Sequence, residues 1–286
     1  MPLNTEVFRT RAISAVFFVI FMLAGLLWNA WSFLLLFIVI HAGCWWEFTK
    51  LVEKIENIRI HPWVTLGFIT AGMAIMVSFC GDWYSIGGYR FRDNLLLPLS
   101  AAGFILLVMG ILHKETHTTI KSFARLGLGL LYISLSWGMM VGLRQYGTNS
   151  LLGDQGWILP LLLIGSIWIN DTMAYIVGSF IGKTPLSAIS PKKTWEGTIG
   201  GAVLAVVVVA IIAKLAFQTN WLFAICIPLI GAVVGTLGDL LESKLKRMAG
   251  VKDSGSMMPG HGGFLDRFDS MLLATPVVWV FVQIIG

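Results

Sequence analysis

Charge is what this chain lacks most. Asp, Glu, Lys and Arg make up 12% of its 286 residues, against 57% hydrophobic, and mean hydropathy is +0.82. A soluble domain carries about 25% charged residues, so this load cannot cover a water-facing surface. Cysteine is scarce as well. Cys44, Cys80 and Cys226 lie in or at the ends of apolar runs without metal-ligand spacing, and read as small buried hydrophobes. There is no sequence repeat, low-complexity stretch or soluble appendage. No small-x-small cleavage site follows the first apolar run, Ala12–Trp28, so that run reads as a retained helix and not a signal peptide. The net charge of +5 does not point to nucleic acid, because the Lys and Arg residues gather in short loops between apolar runs.

What is present is a series of membrane-length runs. A spanning helix needs about 20 apolar residues. Candidate spans are 12–28, 31–46, 63–80, 95–112, 126–143, 158–181, 199–217, 221–238 and 270–285. The first two are short enough to form one re-entrant hairpin, although Trp28, Trp31, Trp45 and Trp46 sit at their ends as interfacial anchors do. With the N-terminus in the cytoplasm, cytoplasmic segments hold sixteen Lys and Arg residues and the opposite side four, namely Arg90, Arg92, Arg144 and Lys214. That asymmetry predicts an all-α polytopic membrane protein of about nine spans with its N-terminus inside. The whole chain, 1–286, reads as one membrane domain. Residues 1–157 supply N-terminal helices of undefined role, and 158–286 form a catalytic half.

The polar residues are unevenly placed. In the first half His41, Glu47, His61 and His117 fall at expected helix ends or in loops, and read as interfacial or solvated; Asp82 and Asp93 read as outer-loop residues. In the second half Asn170 and Asp171 lie near the centre of a span, with Trp168, Thr172 and Tyr175 close in sequence. A carboxylate there costs a few kcal/mol and normally faces a cavity or pairs with a cation. Ser190-Pro191-Lys192-Lys193 reads as N-cap and N1 of a helix whose free N–H groups and two lysines suit a phosphate. Gly178 to Thr184 imitates a P-loop but has three residues between its glycines where four are required. The recurring pairs Gly178/Gly182 and Gly231/Gly235 read as helix-packing positions.

The densest segment runs from Gly238 to Asp269. Asp239, Glu242 and Lys246 share one helix face, and Asp266 and Asp269 are three apart. Two acidic clusters flanking a loop can converge on Mg²⁺, which takes one or two carboxylates plus substrate phosphates. The run Pro259-Gly260-His261-Gly262-Gly263 offers flexible backbone N–H groups for phosphate.

Ser243, Lys246, Arg247, Lys252, Asp253, His261, Gly262, Gly263, Asp266, Arg267 and Asp269 together resemble the signature of the phosphatidate cytidylyltransferases, the CDP-diacylglycerol synthases. Met258 departs from the branched or aromatic residue usual there, with size and polarity kept. The Asn170–Tyr175 and Ser190–Gly197 segments resemble family motifs too, so the likeness covers 158–286 sharply and the N-terminal helices by hydropathy.

The resemblance implies transfer of CMP from CTP to phosphatidic acid, giving CDP-diacylglycerol and pyrophosphate. It also implies Mg²⁺ held by Asp239 and Asp266, room for a second cation such as K⁺, a homodimer in the cell membrane, and a site open to the cytoplasm. Lys252, Asp253, His261, Arg267, Asp269 and Asp171 become candidate catalytic residues. Ser190, Lys192, Lys193, Lys246, Arg247, Gly262 and Gly263 become candidate phosphate ligands. Three other readings stay open: an enzyme acting on another lipid phosphate, such as a CDP-archaeol synthase or polyprenol kinase; a transporter or channel, whose usual repeat halves with broken helices are not found; and a catalytically retired paralogue.

Overall fold

The computed structural model describes residues 5–113, 118–146, 154–255 and 262–285, with side chains from residue 14 onward. Among these the chain is nearly all helix: α1 (Thr5–Leu27), α2 (Ala30–Glu56), α3 (Pro62–Ser78), α4 (Phe91–Leu112), α5 (Ile120–Leu143), α6 (Ile158–Ile181), α7 (Trp195–Phe217), α8 (Trp221–Met248) and α9 (Leu265–Ile285). One short hairpin, Ser85–Ile86 with Tyr89–Arg90, precedes α4. Each apolar run is a helix. α2 and α4 through α9, seven in all, are long and apolar enough to cross a membrane; Ser14–Leu27 and Pro62–Ser78 are apolar but shorter. Large side chains such as Leu97, Phe104, Leu112 and Leu215 stand more than two-thirds exposed on these helices. Water would penalise such a surface, and lipid does not.

Two helices run furthest past their apolar runs, for one reason. α2 and α8 each continue about ten residues past their apolar segments, to Glu56 and Met248, because helix hydrogen bonding does not stop where lipid-like side chains do. At the other end of α2, Asn29 caps it: its side chain accepts from the Ser32 N–H at 2.8 Å. α1 and α2 are therefore separate helices, and α2 alone is long enough to span.

The contacts divide the chain into two compact units, Met1–Val141 with Met248–Phe268, and Gly142–Arg247 with Asp269–Gly286. In the first unit Phe33, Phe37 and Trp45 of α2 are fully buried. Trp45 stacks on Phe68 at 5.4 Å, and Trp137 meets Phe268 edge-on at 5.5 Å. The His41 Nε2 and the Trp45 indole N–H both reach the Ser134 hydroxyl, at 2.9 and 2.8 Å, inside a widened π-turn of α5. His41 is thus wholly buried, contrary to an interfacial position, because it lies on the inward face of a longer helix. α3 and α4 close on each other at Gly67, Gly103 and Gly110, where an added Cβ would stand 2.7–2.9 Å from the facing backbone nitrogen. Asp82 and Asp93 are exposed and lie near Arg90; Asp82 is a loop residue as expected, whereas Asp93 falls in the first turn of α4, where its charge suits the helix N-terminus.

In the second unit α6 and α7 pack through Gly197 and Gly201, seated on the Ala174 backbone. α8 carries Gly231, Gly235 and Gly238 along one side; a Cβ on Gly231 would meet Ser166 of α6, and one on Gly238 would fall 2.6 Å from the Asp269 carbonyl oxygen of α9. These are the small-residue contacts that apolar helices use where lipid offers no hydrophobic drive. Arg144, almost fully buried, is paired with Asp154.

Two matched substitutions test the α6–α7 contact. Gly201→Ala drives a methyl group into the Ala174 backbone and is expected to destabilise the purified protein by about 1–3 kcal/mol, seen as a lower melting temperature. Gly165→Ala enters open space on α6 and gains helix propensity of about 1 kcal/mol, so its melting temperature should hold or rise. Equal effects would contradict the packing.

Candidate active site

In the second unit the polar centre is built on α8. Asp239, with its side chain 20% exposed, accepts the Lys193 ammonium in an ion pair. Lys193 arrives from the 182–194 segment, which is closed on itself. The Leu186 N–H donates to the Lys193 carbonyl at 2.7 Å, and the Trp195 N–H to the Thr184 carbonyl at 2.9 Å. Glu196 ties the near end, accepting from the Lys183 and Thr184 N–H groups at 3.2 Å and from the Thr184 hydroxyl at 2.9 Å. Thr194 caps α7, taking the Gly197 N–H at 3.2 Å, and packs on Gly178 and Gly182.

This corrects the expected helix start at Ser190. Ser190, Pro191 and Lys192 form a turn closed by the Lys193 N–H on the Ser190 carbonyl at 3.1 Å, and α7 begins at Trp195. Proline's fixed φ serves position i+1 of a turn as well as N1 of a helix, and the Pro185–Thr194 bridge selects the turn. Lys192 is exposed.

Three acids act on Lys193. Burial alone would loosen its proton, but the charge and hydrogen bond of Asp239, with the charges of Asp171 and Asp269, more than reverse this and raise its pKa above the ordinary lysine value. Lys193 is therefore a cation throughout the neutral range. The charges of Asp239 and Glu242 in turn act on Asp269. Glu242, wholly buried, pairs with Lys246 one turn on along α8, as their shared face predicts. Asp171 is open to the surface, while its neighbour Asn170 is buried with its Oδ1 unpartnered. The Thr172 hydroxyl turns back to the Trp168 carbonyl and Tyr175 is exposed, so sequence proximity to Asp171 gives them no part in this centre. Arg247 is exposed.

In the first unit, one oxygen of Asp266 gathers three donors: the Ser254 N–H and hydroxyl, each at 2.9 Å, and the Gly263 N–H at 2.8 Å. Gly262 supplies the positive φ, +82°, that brings the chain round to Asp266. Lys252 and Asp253 are exposed and Arg267 is half-buried. His261 lies outside the described residues. A cleft of about 750 Å³ opens beside this loop, lined among others by Trp46, Lys50, Lys54, Asp253, Ser254 and Phe264.

Glu47 also lines this cleft, and the sequence reading missed it. It is 5% exposed, not solvated, and accepts from the Ser254 hydroxyl at 2.8 Å and the Leu265 N–H at 3.0 Å. A signal existed: Gly43, Glu47, Lys50 and Lys54 repeat at i, i+4, i+7 and i+11, one stripe of α2. Read as a short apolar span, α2 was cut off before the stripe could show.

Among the described residues no three His, Cys, Asp or Glu side chains close into a ready-made metal cage. Magnesium does not ask for one: one or two carboxylates, water and substrate phosphates suffice. Asp239, partly exposed and with a cation already drawn onto it, is a carboxylate of the kind a hard cation takes.

Residues 9–285 match the model of the cytidylyltransferase family. The chain is similar to a phosphatidate cytidylyltransferase of Staphylococcus haemolyticus, 33% identical over 79% of this chain and 83% of that one. It is similar to the enzyme of the same name from Staphylococcus saprophyticus, 31% identical over 92% of each chain. It also resembles the chloroplastic phosphatidate cytidylyltransferase 4 of Arabidopsis thaliana, 36% identical over 53% of this chain and 37% of that one. With the match running almost end to end, this chain belongs to the cytidylyltransferase family.

Proposed function

We propose that this protein transfers CMP from CTP to phosphatidic acid, forming CDP-diacylglycerol and pyrophosphate at the membrane. The observation that carries the reading is the ion pair of Asp239 on α8 with Lys193, on which the charges of Asp171 and Asp269 also act. Family membership and the names of the relatives support the same reaction.

The chemistry asks little of a base. A phosphomonoester has a second pKa of about 6, so the phosphatidate oxygen is already nucleophilic at neutral pH. Repulsion between two anions is the obstacle, and phosphoryl-type transfer is met by positioning and charge neutralisation. Lys193, held by Asp239, is the cation placed to meet a substrate phosphate, with exposed Lys192, Arg247 and Lys252 as further clamps. Lys246 is committed to Glu242, which makes it a stabiliser of α8 first and a phosphate ligand second. Asp239 and Asp266 would hold Mg²⁺, with Asp269 and Asp171 orienting Asp239 and Lys193. When bound, the ion would polarise the α-phosphate and ease departure of pyrophosphate. Asp253, Arg267, His261, Ser190 and Gly262 keep their proposed roles around the phosphates, whereas the Gly263 N–H is taken by Asp266 and leaves that set. Room for K⁺, a homodimer, nine spans, a cytoplasmic N-terminus and a site facing the cytoplasm complete the reading; the sixteen-to-four charge asymmetry supports the orientation.

Purified protein given CTP, phosphatidate and Mg²⁺ should release pyrophosphate, and chelation should stop it. Asp239→Asn and Asp266→Asn should each reduce the rate at least about 100-fold, as loss of a metal ligand does. Wild-type rates in both folded variants would remove the metal reading. Lys193→Met should slow turnover by about 10–100-fold and raise the KM for at least one substrate. An unchanged rate would exclude it as a phosphate clamp.

A further inference from the structure

We infer that Glu47 is a positioning residue: its buried carboxylate seats the signature loop so that Asp266 is presented in one orientation. This rests on the reading of Asp266 as a metal ligand.

The geometry is specific. Glu47 Oε2 takes the Leu265 N–H at 3.0 Å, and Leu265 is the first residue of α9. The first N–H groups of a helix have no partner within it and carry partial positive charge. Glu47 supplies that cap from a helix 218 residues away in sequence. The same oxygen takes the Ser254 hydroxyl at 2.8 Å, and that hydroxyl also lies 2.9 Å from Asp266 Oδ2. A serine hydroxyl has one proton, so the two carboxyl groups share it as a donor and are drawn to the same point of the chain. Each carboxyl group keeps backbone donors of its own: Leu265 for Glu47, Ser254 and Gly263 for Asp266.

The loop is shaped to the same end. A Cβ at either Gly255 or Gly263 would overlap the Glu47 carboxyl group, so both glycines let the backbone close over it. One turn earlier on α2, Gly43 admits the Phe264 ring, which a Cβ would strike. Gly43 and Glu47 thus form one seat, apolar then anionic, for Ser254 and Gly255 on one side and Gly263, Phe264 and Leu265 on the other. A carboxylate needed only for solubility would not be buried under two glycines. A merely structural anchor would leave the metal affinity untouched.

The test compares Glu47→Ala, Glu47→Gln and Ser254→Ala in the full-length purified protein with Asp266→Asn as reference. Two readouts are taken. One is Mn²⁺ affinity without substrates, from the spectroscopic signal of free Mn²⁺. The other is hydrogen exchange of the Ser254, Gly263 and Leu265 amides. Glu47→Ala is expected to weaken Mn²⁺ binding by about 10–100-fold and to speed exchange at all three amides. It should lower kcat by a similar factor, with the KM for CTP and phosphatidate little changed. Glu47→Gln, which keeps an acceptor for Leu265, should recover part of each effect. Ser254→Ala deletes only the bridging hydroxyl, leaves the fold intact, and should loosen Mn²⁺ in the same direction. Wild-type exchange in Glu47→Ala and Glu47→Gln would overturn the inference whatever the metal does. Faster exchange with unchanged Mn²⁺ binding, while Asp266→Asn loses it, would reduce Glu47 to an anchor and also overturn the inference. Wild-type Mn²⁺ binding in Asp266→Asn would remove the reading of Asp266 itself, and with it the positioning role.

Discussion

An ionised side chain at the edge of a hydrocarbon layer must have a partner, because the alternative is a charge stripped of water. Most of what is distinctive in this fold answers that constraint. In the second unit the answer is ionic: Lys193 on Asp239, Lys246 on Glu242, Arg144 on Asp154. Around Asp266 and Glu47, in the first unit, it is made with neutral donors. Asp266 and Glu47 sit among backbone N–H groups and a single serine hydroxyl, with glycines standing aside. The two solutions have different consequences. An ion pair can exchange one cation for another; a carboxylate ringed by N–H groups is fixed in direction.

The glycines belong to the same account. Apolar helices in lipid gain little from hiding apolar faces, so close approach must come from small residues. Gly231, Gly235 and Gly238 let α6 and α9 lie against α8, and Gly197 and Gly201 bring α7 onto α6. The segment between α6 and α7 then delivers Lys193, and α6 and α9 deliver Asp171 and Asp269. A stripe that reads as packing is also what places acids from separate helices around one ammonium. Chemistry between two phosphates that repel each other needs such a place: enough positive charge to bring them together, and enough carboxylate to hold that charge when they are gone.

Much of this was legible in the sequence, for physical reasons that can be named. Lipid enforces long apolar runs, so the helices were visible. A carboxylate is costly inside a span, so Asp171 stood out; the density of acids and bases marked Asp239 and Asp269, and spacing put Glu242 and Lys246 on one helix face. The failures share a cause, which is that local pattern underdetermines tertiary choice. Ser190-Pro191 suits a helix start and a turn equally, and the hydrogen bonds of Thr184 and Lys193 decided for the turn. α2 looked short because apolarity ends before the helix does, so Glu47 passed for an interfacial residue. Its partners lie about 210 residues further along the chain, beyond the reach of any spacing rule. Tyr175 and Thr172, adjacent to Asp171 in sequence, turned outward or back onto their own helix.

The central claim is that the gathered acids and bases serve cytidylyl transfer to a lipid phosphate. It is tested most directly by following the label of CTP in vesicles containing phosphatidate and the purified protein. With CTP labelled in its α-phosphate, the account predicts label in the lipid, as a product that comigrates with CDP-diacylglycerol; with the γ-phosphate labelled, it predicts label in aqueous pyrophosphate alone. Transfer of the γ-label to lipid would make the protein a kinase, and label in neither lipid product would contradict the account.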